Sequence, residues 1–353
     1  MSYKHRVLDL EFDMPGLYPP ISPYQTGHLA VSEAPLHRIY YEVYGNPDGE
    51  PMLFVHGGPG AAAGPAVARF FDPERFRIIN FHQRGCGRSE PFLSVEANTT
   101  RDLIADIVKL RAHLGIAGPM HVFGGSWGSF LSVMYALSYP QTVASLTLRG
   151  IFLGRAVDIF TSYQRDAQAA RGQYRGGGQF FPEAWEAFVQ YIPEAERGDM
   201  FTAYYNRIHS DGAERISAAR AWYRWEDAIL RLKPMTAEQA ATNLAAMDDV
   251  LAEAVMETHY FRHNSFLGDF GGDDYILDVE PIAHIPVTVV QGLYDQCTPR
   301  YMADELVAAL DAAKAKIPAP PVDYVLTVSG HLAFDEENPE ALAAAVRKLA
   351  PIG

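Results

Sequence analysis

Short apolar runs of strand length recur along residues 38–150, with helical patterns between them. The runs lie at 38–44, 52–55, 76–81, 121–123 and 145–148. The clearest helical pattern, at 100–114, repeats its apolar positions every three or four residues. Strands that alternate with helices predict an α/β fold, in which a mostly parallel sheet carries helices on both faces.

The pattern changes between residues 155 and 280. Strand signals vanish there, Gly176-Gly177-Gly178 marks a flexible break, and aromatic-rich helical patterns occupy 181–191, 218–232 and 237–260. After Pro281 the alternation resumes, with strand-like runs at 286–292 and 322–328. The chain therefore predicts a discontinuous core, at 1–154 and 281–353, with an inserted helical cap domain at 155–280.

Composition narrows the classes of partner. The 353 residues are 48% hydrophobic, which suffices for one large domain plus an insertion. The chain holds 29 basic and 43 acidic residues, a net charge of −14, and it has no run rich in Lys and Arg. These counts argue against nucleic acid or an anionic membrane as the main partner, and an acidic surface suits small cationic substrates. They leave the oligomeric state open.

The N-terminus and the cysteines bear on location. No basic segment followed by an apolar stretch opens the chain, and no stretch reaches the ~20 apolar residues of a membrane-spanning helix. We therefore expect the mature chain to start near Met1 and to act in the cytoplasm. Cys86 and Cys297 lie in separate predicted loops; we expect free thiols, with a disulfide as the alternative.

Gly124-Gly125-Ser126-Trp127-Gly128 is the motif that carries most chemical information. A strand-like run precedes it, and apolar residues at helical spacing follow it. A serine flanked by glycines two positions away on each side fits the tight strand-to-helix turn of a nucleophile elbow. We therefore expect Ser126 to lie exposed at the carboxyl end of a strand, with a plain glycine-rich loop as the alternative.

A second glycine-rich turn, His56-Gly57-Gly58-Pro59-Gly60, follows the apolar run at 52–55. In α/β-hydrolases such a turn supplies one backbone N–H to an oxyanion hole, and the residue after the nucleophile supplies the other. Those donors would be Gly58 and Trp127. A turn with no donor aimed at a substrate is the alternative.

A serine nucleophile needs a base, and this fold places Ser, then Asp or Glu, then His along the chain. Asp295 follows the run at 286–292, and His331 follows the run at 322–328. Of the twelve histidines, His331 alone lies after Asp295. We expect the three side chains to meet at one sheet edge. A turn-forming Asp and a surface or capping His are the alternatives.

One other histidine pair has the spacing of a metal site. His259 and His263 have i, i+4 spacing on a predicted helix, but Tyr260 stands where a zinc protease of this pattern needs Glu. We therefore expect no metal and no cofactor.

Several further motifs make the chain resemble the prolyl aminopeptidases (proline iminopeptidases) of the α/β-hydrolase superfamily. The resemblance covers nearly the whole chain, from Gly16 to the C-terminal helix. Its landmarks are GLYPPISPY at 16–24, HGGPG at 56–60, QRGCGRS at 83–89, GGSWGS at 124–129, LRGIFL at 148–153, WYRWE at 222–226 and ETHYF at 257–261.

The resemblance implies roles for residues of the cap. Two cap carboxylates of that family bind the α-amino group of the substrate, and their positions match Glu226 and Glu257. The family's apolar pocket for the proline ring maps onto Phe152 and Phe261. For the glutamates the alternative is a solvated helix face, and for the aromatic residues it is a purely structural core.

The chain departs from the family at two places. His82 stands where the family usually has Asp before QRG. About ten residues after GIF the family carries an aromatic pair, and this chain has Thr161-Ser162-Tyr163 there, with fewer aromatic residues. The first departure predicts an altered loop beside the site, and the second a wider or reshaped pocket.

The implied activity is that of a serine aminopeptidase, which releases an N-terminal residue, preferably proline, from short peptides with a free N-terminus through an acyl-enzyme. An esterase or amidase that uses the same triad without needing a free amine is the first alternative, and a non-catalytic binding protein of the same fold is the second.

Overall fold

The computed structural model describes residues 16–164, 177–233 and 235–352. Eight strands form one sheet in the order β1-β2-β4-β3-β5-β6-β7-β8. The strands are β1 (Gln25–Glu33), β2 (Leu36–Gly45), β3 (Glu50–Val55), β4 (Phe76–Phe81), β5 (Met120–Ser126), β6 (Val143–Ile151), β7 (Val287–Gly292) and β8 (Asp323–Thr327). Because β2 pairs antiparallel with both β1 and β4 while the remaining pairs are parallel, the sheet is mostly parallel, as predicted.

Neighbouring residues of the central strands enter two different apolar clusters, one on each face of the sheet. Leu53 of β3 and Val122 of β5 belong to one cluster, while Met52 and Phe123 belong to the other. Successive side chains of a strand point to opposite faces. Strands that are buried on both faces need apolar residues at nearly every position, which is why the sequence shows them as continuous apolar runs.

In the part of the chain that the structure describes, four α-helices outside the segment between β6 and β7 cover the sheet. They are α1 (Thr100–His113), α2 (Trp127–Ser138), α9 (Arg300–Lys314) and α10 (Asn338–Arg347). Buried residues of α1, α2 and α9 belong to one apolar cluster, whereas Leu342 and Val346 of α10 belong to the other. Thr99 caps α1 through a reciprocal pair of hydrogen bonds with Asp102, which ends the preceding loop and starts the helix.

Between β6 and β7, where the strand signals vanish, the described residues form six α-helices. They are α3 (Ala156–Tyr163), α4 (Pro182–Tyr191), α5 (Met200–Ile208), α6 (Glu214–Leu230), α7 (Ala237–Ala245) and α8 (Met247–Arg262). Aromatic rings pack these helices together. Tyr163 stacks on Trp222 with ring centroids 4.7 Å apart, and Phe188 stacks on Tyr204 with ring centroids 4.5 Å apart. The domain limits at 154/155 and 280/281 stay a prediction.

Two expectations about elements need correction. The pattern at 237–260 is two helices, because Ala246 leaves helical geometry at φ −76° and ψ 66°. Strand β1 was not predicted, because it is an edge strand with exposed alternate positions and few large apolar residues. Gly176 of the predicted flexible break lies outside the described residues.

None of the helices in the described ranges combines the length and hydrophobicity that crossing a bilayer requires.

Candidate active site

The turn at Ser126 joins β5 directly to α2. Ser126 has φ 58° and ψ −128°, a conformation that non-glycine residues rarely adopt. A Cβ atom at Gly124 would lie 2.3 Å from the Gly128 carbonyl oxygen, and one at Gly128 would lie 2.1 Å from the Val55 carbonyl oxygen. Both flanking positions therefore require glycine. The strain at one serine and the close contacts on each side match the elbow that the motif predicts.

Asp295 and His331 meet at the same edge of the sheet. Nδ1 of His331 lies 2.7 Å from Oδ2 of Asp295, and both side chains are buried. Asp295 follows β7 and His331 follows β8, two adjacent parallel strands, so their carboxyl ends bring the two loops together. A carboxylate at Nδ1 fixes the imidazole tautomer that leaves Nε2 free to accept a proton.

The Asp295 carboxylate is held by several further donors. Oδ1 accepts from the backbone N–H groups of Cys297 at 3.0 Å and Thr298 at 2.8 Å, and Oδ2 accepts from the Thr298 hydroxyl at 2.9 Å and from Nε2 of Gln291 at 3.2 Å. Burial by itself raises the pKa of Asp295, but the charge and hydrogen bond of His331 and the Thr298 donors outweigh it and hold the pKa below its usual value. Asp295 thus stays ionised.

The glycine-rich turn at 56–60 lies beside the nucleophile. A Cβ atom at Gly57 would lie 3.2 Å from Cβ of Ser126. Gly58 has φ +99°, which favours glycine there. Trp127 is the first residue of α2, where backbone N–H groups have no partner within the helix. Of the two residues predicted to form the oxyanion hole, Trp127 follows Ser126 in the chain and Gly58 lines the same cavity as Ser126.

Two residues that the sequence did not single out, Gln83 and His56, connect the glycine-rich turn to Trp127. Gln83 accepts from Nε1 of Trp127 through its side-chain oxygen at 2.9 Å and donates through Nε2 to the His56 carbonyl oxygen at 2.9 Å. Nε2 of His56 accepts from the Gln83 backbone N–H, so its Nδ1 donates to the Gly57 carbonyl oxygen. Burial lowers the pKa of His56 to about 3, which keeps the ring neutral for this pattern.

His82, the first departure from the family pattern, supports the loop that carries QRGCGRS. Its Nδ1 accepts from the Arg88 backbone N–H at 2.9 Å, and its Nε2 lies 3.3 Å from the Ala63 carbonyl oxygen. Arg84 of the same loop forms a two-bonded ion pair with Asp106, with both nitrogen–oxygen distances 2.7 Å. Hydrogen bonds and an ion pair with buried residues therefore hold this loop.

The two glutamates that the resemblance assigns to amine binding face one cavity. Glu226 of α6 accepts a hydrogen bond from the Tyr163 hydroxyl, and Glu257 of α8 accepts from Nε1 of Trp222 at 2.5 Å. Their exposed fractions are 4% and 5%. Among the described residues, no basic side chain forms a salt bridge with either carboxylate.

Burial without a cation changes the protonation of both groups. Burial raises the pKa of Glu226 to about 7, against the opposing effect of the Tyr163 hydrogen bond. The pKa of Glu257 is raised well above its usual value, by burial first and then by the negative charges of Glu226 and Glu253. A positive group placed between the carboxylates would favour their charged forms.

About 320 Å³ of space free of protein atoms, part of it open to solvent, lies between the residues that line this cavity. Phe152 and Phe261 line it, with their ring centroids 5.6 Å apart. Its other lining residues are Gly58, Ser126, Asp158, Ser162, Tyr163, Glu226, Glu257, Cys297 and Thr298. The nucleophile, one predicted oxyanion donor, both glutamates and both pocket aromatics therefore share one cavity.

Asp158 and Ser162 of this lining were not predicted as site residues. Arg155 donates two hydrogen bonds to the Asp158 carboxylate, at 2.8 and 3.0 Å, and the Tyr301 hydroxyl donates a third at 2.9 Å. The Asp158 carboxylate is thus already paired with a cation, the Arg155 guanidinium. Ser162 stands at the predicted departure and presents a small polar side chain to the cavity.

The two cysteines are free thiols. Cys86 is buried and donates from Sγ to the Arg84 carbonyl oxygen, whereas Cys297 lines the cavity. Burial raises the pKa of both thiols, to about 12 for Cys86. At neutral pH the thiols stay protonated.

His259 and His263 have backbone partners. Nε2 of His259 lies 2.8 Å from the Asn98 carbonyl oxygen, and Nδ1 of His263 lies 2.7 Å from the His259 carbonyl oxygen.

Comparison with known proteins places this site in a family. The model of the alpha/beta hydrolase fold family matches residues 50–337. A proline iminopeptidase of Neisseria gonorrhoeae is 42% identical over 331 residues, which are 93% of this chain and 97% of that protein. A proline iminopeptidase of Arabidopsis thaliana is 45% identical over 306 residues, 85% of this chain and 75% of that one.

Solved structures agree at the level of the fold. The crystal structure of a proline iminopeptidase from Mycobacterium smegmatis aligns with a TM-score of 0.53 at 20% identity, over 91% of this chain and 96% of that chain. With the family model over most of its length and relatives above 40% identity, the chain belongs to the proline iminopeptidase family of α/β hydrolases.

Proposed function

We propose that this protein is a serine aminopeptidase that releases an N-terminal residue, preferably proline, from short peptides. The relatives above bear the name of that activity. The observation that carries the proposal is the pair of buried carboxylates, Glu226 and Glu257, which face the same cavity as Ser126 and have no cationic partner among the described residues. A substrate ammonium group supplies the missing charge.

The proposed chemistry proceeds through an acyl-enzyme. The Ser126 hydroxyl oxygen attacks the carbonyl carbon of the first residue, and its proton passes to Nε2 of His331. The N–H groups of Gly58 and Trp127 bind the resulting oxyanion. His331 then gives its proton to the leaving amine. A water molecule, deprotonated by His331, releases the N-terminal residue and restores Ser126. No step calls for a cofactor.

The arrangement explains why an enzyme of this kind rejects internal peptide bonds. A substrate with an N-terminal amine pairs its charge with Glu226 and Glu257, whereas an acylated N-terminus leaves buried carboxylates unpaired. Phe152 and Phe261 offer an apolar surface to the ring of an N-terminal proline. Action in the cytoplasm completes the proposal, since free thiols suit a reducing compartment.

The nucleophile is tested by Ser126→Ala, with Ser138→Ala as the matched control, because the Ser138 hydroxyl bonds only within its own helix, to the Met134 carbonyl oxygen. We expect Ser126→Ala to lower kcat on a prolyl amide by roughly a millionfold, and a fluorophosphonate to label wild type at Ser126. Turnover of the Ser126 variant within about tenfold of wild type would refute the triad.

Amine recognition is tested with a prolyl amide, its N-acetylated counterpart and a small neutral ester. We expect wild type to cleave the prolyl amide and to reject the acetylated form. Glu226→Gln and Glu257→Gln should each lower kcat/KM for the amide by about 2 to 5 kcal/mol and leave ester cleavage nearly unchanged. The exposed Glu340→Gln serves as the control substitution. Efficient cleavage of the acetylated substrate would favour an esterase or amidase instead.

A further inference from the structure

The loop that carries His331 is held by the helix that carries Glu226. The His331 backbone N–H donates to the Leu230 carbonyl oxygen at 3.0 Å, and Leu230 is the last residue of α6. The His331 carbonyl oxygen accepts from Nη1 of Arg149 on the other side. The backbone of His331 is therefore fixed from two directions, once by the helical segment and once by the sheet.

Leu230 lies at a position where helices leave polar groups without partners. The last four carbonyl groups of a helix have no donor within it, and Arg231 leaves helical geometry at φ −112° and ψ 135°. The His331 N–H supplies one of the missing donors. This hydrogen bond thus ends α6 and positions the loop of the catalytic histidine at the same time.

Packing around the hydrogen bond is tight. A Cβ atom at Gly330 would lie 2.8 Å from the Leu232 backbone nitrogen and 3.3 Å from the Leu230 carbonyl oxygen. On its other side, the Gly330 carbonyl oxygen lies 2.2 Å from the position that a Cβ atom of Gly292 would take, at the end of β7. Residues 329–331 are therefore pressed between the end of the sheet and the end of α6.

Glu226 precedes Leu230 by one helical turn, so both lie on the same side of α6. The carboxylate faces the cavity, and the carbonyl group one turn later holds His331. A rigid helical turn that joins them makes the place of the substrate amine and the place of the proton-transferring imidazole depend on each other.

We propose that the contact of Leu230 and Leu232 with Gly330 and His331 is a positioning element for catalysis, through which α6 aligns His331 with a substrate amine held at Glu226. The inference rests on the proposed role of His331 as the general base. It assigns to the last turn of α6 a part in turnover that is separate from substrate binding.

The test is Gly330→Ala, compared with Gly198→Ala. Neither glycine has φ in the left-handed region. A methyl group at Gly198 meets nothing within 4 Å, whereas at Gly330 it meets the backbone of Leu230 and Leu232 and the Asp335 carboxylate. We expect Gly330→Ala to lower kcat by roughly 10- to 100-fold on both a prolyl amide and a neutral ester, with KM unchanged, because small misplacements of a catalytic group cost about that much. The acid limb of its kcat–pH profile should move as well. Gly198→Ala should match wild type.

Counting active sites separates positioning from folding. The burst of product with a fluorophosphonate ester reports the fraction of competent enzyme, and kcat is expressed per competent site. If Gly330→Ala folds poorly, Leu230→Gly, which keeps the carbonyl but frees its backbone, should show the same fall in kcat per site to a smaller degree. An unchanged kcat per site, with an unchanged pH profile, would overturn the inference.

His331→Ala in the same assays distinguishes the two levels of proposal. If His331→Ala abolishes turnover while Gly330→Ala and Leu230→Gly turn over normally, only the positioning role is wrong. If His331→Ala turns over normally, the proposed function itself fails.

Discussion

Glu226 and Tyr163 illustrate how a single buried hydrogen bond escapes sequence reasoning. The motif around Glu226 identified the carboxylate, but its partner lies 63 positions away on α3. From the sequence, Tyr163 was only the aromatic residue that remains where the family carries an aromatic pair. In the structure its hydroxyl donates to Glu226, and its ring stacks on Trp222, whose Nε1 donates to Glu257. One stacked pair therefore orients both glutamates.

The raised pKa of Glu226 predicts how stability changes with pH. Between its ordinary value of 4.5 and its folded value of about 7, the folded protein retains a proton that the unfolded chain has released. Stability from this group is therefore greatest below pH 4.5 and falls as pH rises to about 7. The glutamine side chain of the Glu226→Gln variant has no carboxyl proton to lose, so its stability lacks this dependence on pH.

We expect the free energy of unfolding of Glu226→Gln, relative to wild type, to increase from pH 5 to pH 8. Urea unfolding at the two pH values measures it, with Glu340→Gln as the exposed control. A constant difference between Glu226→Gln and wild type would mean that Glu226 is already ionised at pH 5.

The thiols give a second prediction at the residue scale. Cys297 lines the cavity and Cys86 is 2% exposed, so a bulky mercurial should reach Cys297 and inhibit by blocking the cavity. Because burial raises both pKa values, neither thiol supplies a nucleophile.

We expect Cys297→Ser to remain active and resist the mercurial, Cys86→Ser to stay sensitive, and the double variant to be active and resistant. An inactive double variant of normal thermal stability would indicate cysteine chemistry instead.

At the scale of elements, the two buried glutamates of the cavity are carried by helices α6 and α8, outside the sheet. Ser126 ends β5, and Asp295 and His331 follow β7 and β8 of the same sheet, while one helix carries Glu226 and another carries Glu257. Rings fill the space between these helices, so that neither carboxylate can move without disturbing an aromatic contact.

The elbow is the element with the strictest sequence requirement. Gly128→Ala places a methyl carbon 2.1 Å from the Val55 carbonyl oxygen, a contact that forces β3 and α2 apart. We expect the variant to lose most of its turnover and several degrees of melting temperature, as overpacking costs about 1 to 3 kcal/mol. Gly118→Ala, with open space around its methyl group, is the control. Wild-type activity in Gly128→Ala would contradict the close contact that defines this elbow.

Across the whole molecule, the sequence was informative where a physical constraint is local. The run at 76–81 predicted β4 residue for residue, because Phe76, Ile78, Ile79 and Phe81 make it mostly apolar, as a strand buried on both faces requires. The elbow was visible because close contacts demand glycine at two positions within five residues, Gly124 and Gly128. Chain order then led to Asp295 and His331.

Other features depend on contacts between distant segments and leave no local pattern. His56 and Gln83 are 27 positions apart, yet each holds the other, and the pair supports Trp127. The break at Ala246 lies in a segment of good helix formers, so propensity favours one helix where the structure has two. The contact between Leu230 and His331 spans two parts of the chain that the sequence predicts as separate domains.

The net charge of −14 acts on the substrate before any contact is made. An acidic molecule attracts a cationic peptide N-terminus and is indifferent to a neutral ester. Salt screens this attraction, since the Debye length falls from about 30 Å at 0.01 M to about 3 Å at 1 M.

We therefore expect kcat/KM for a prolyl amide to fall steadily as salt rises over this range, through KM rather than kcat, while kcat/KM for the ester stays level. Glu257→Gln, which removes one of the two carboxylates whose charged forms the bound amine favours, should flatten the salt dependence for the amide. An equal decline for amide and ester would mean that salt acts on the enzyme itself, and that the charge of the molecule takes no part in selecting its substrate.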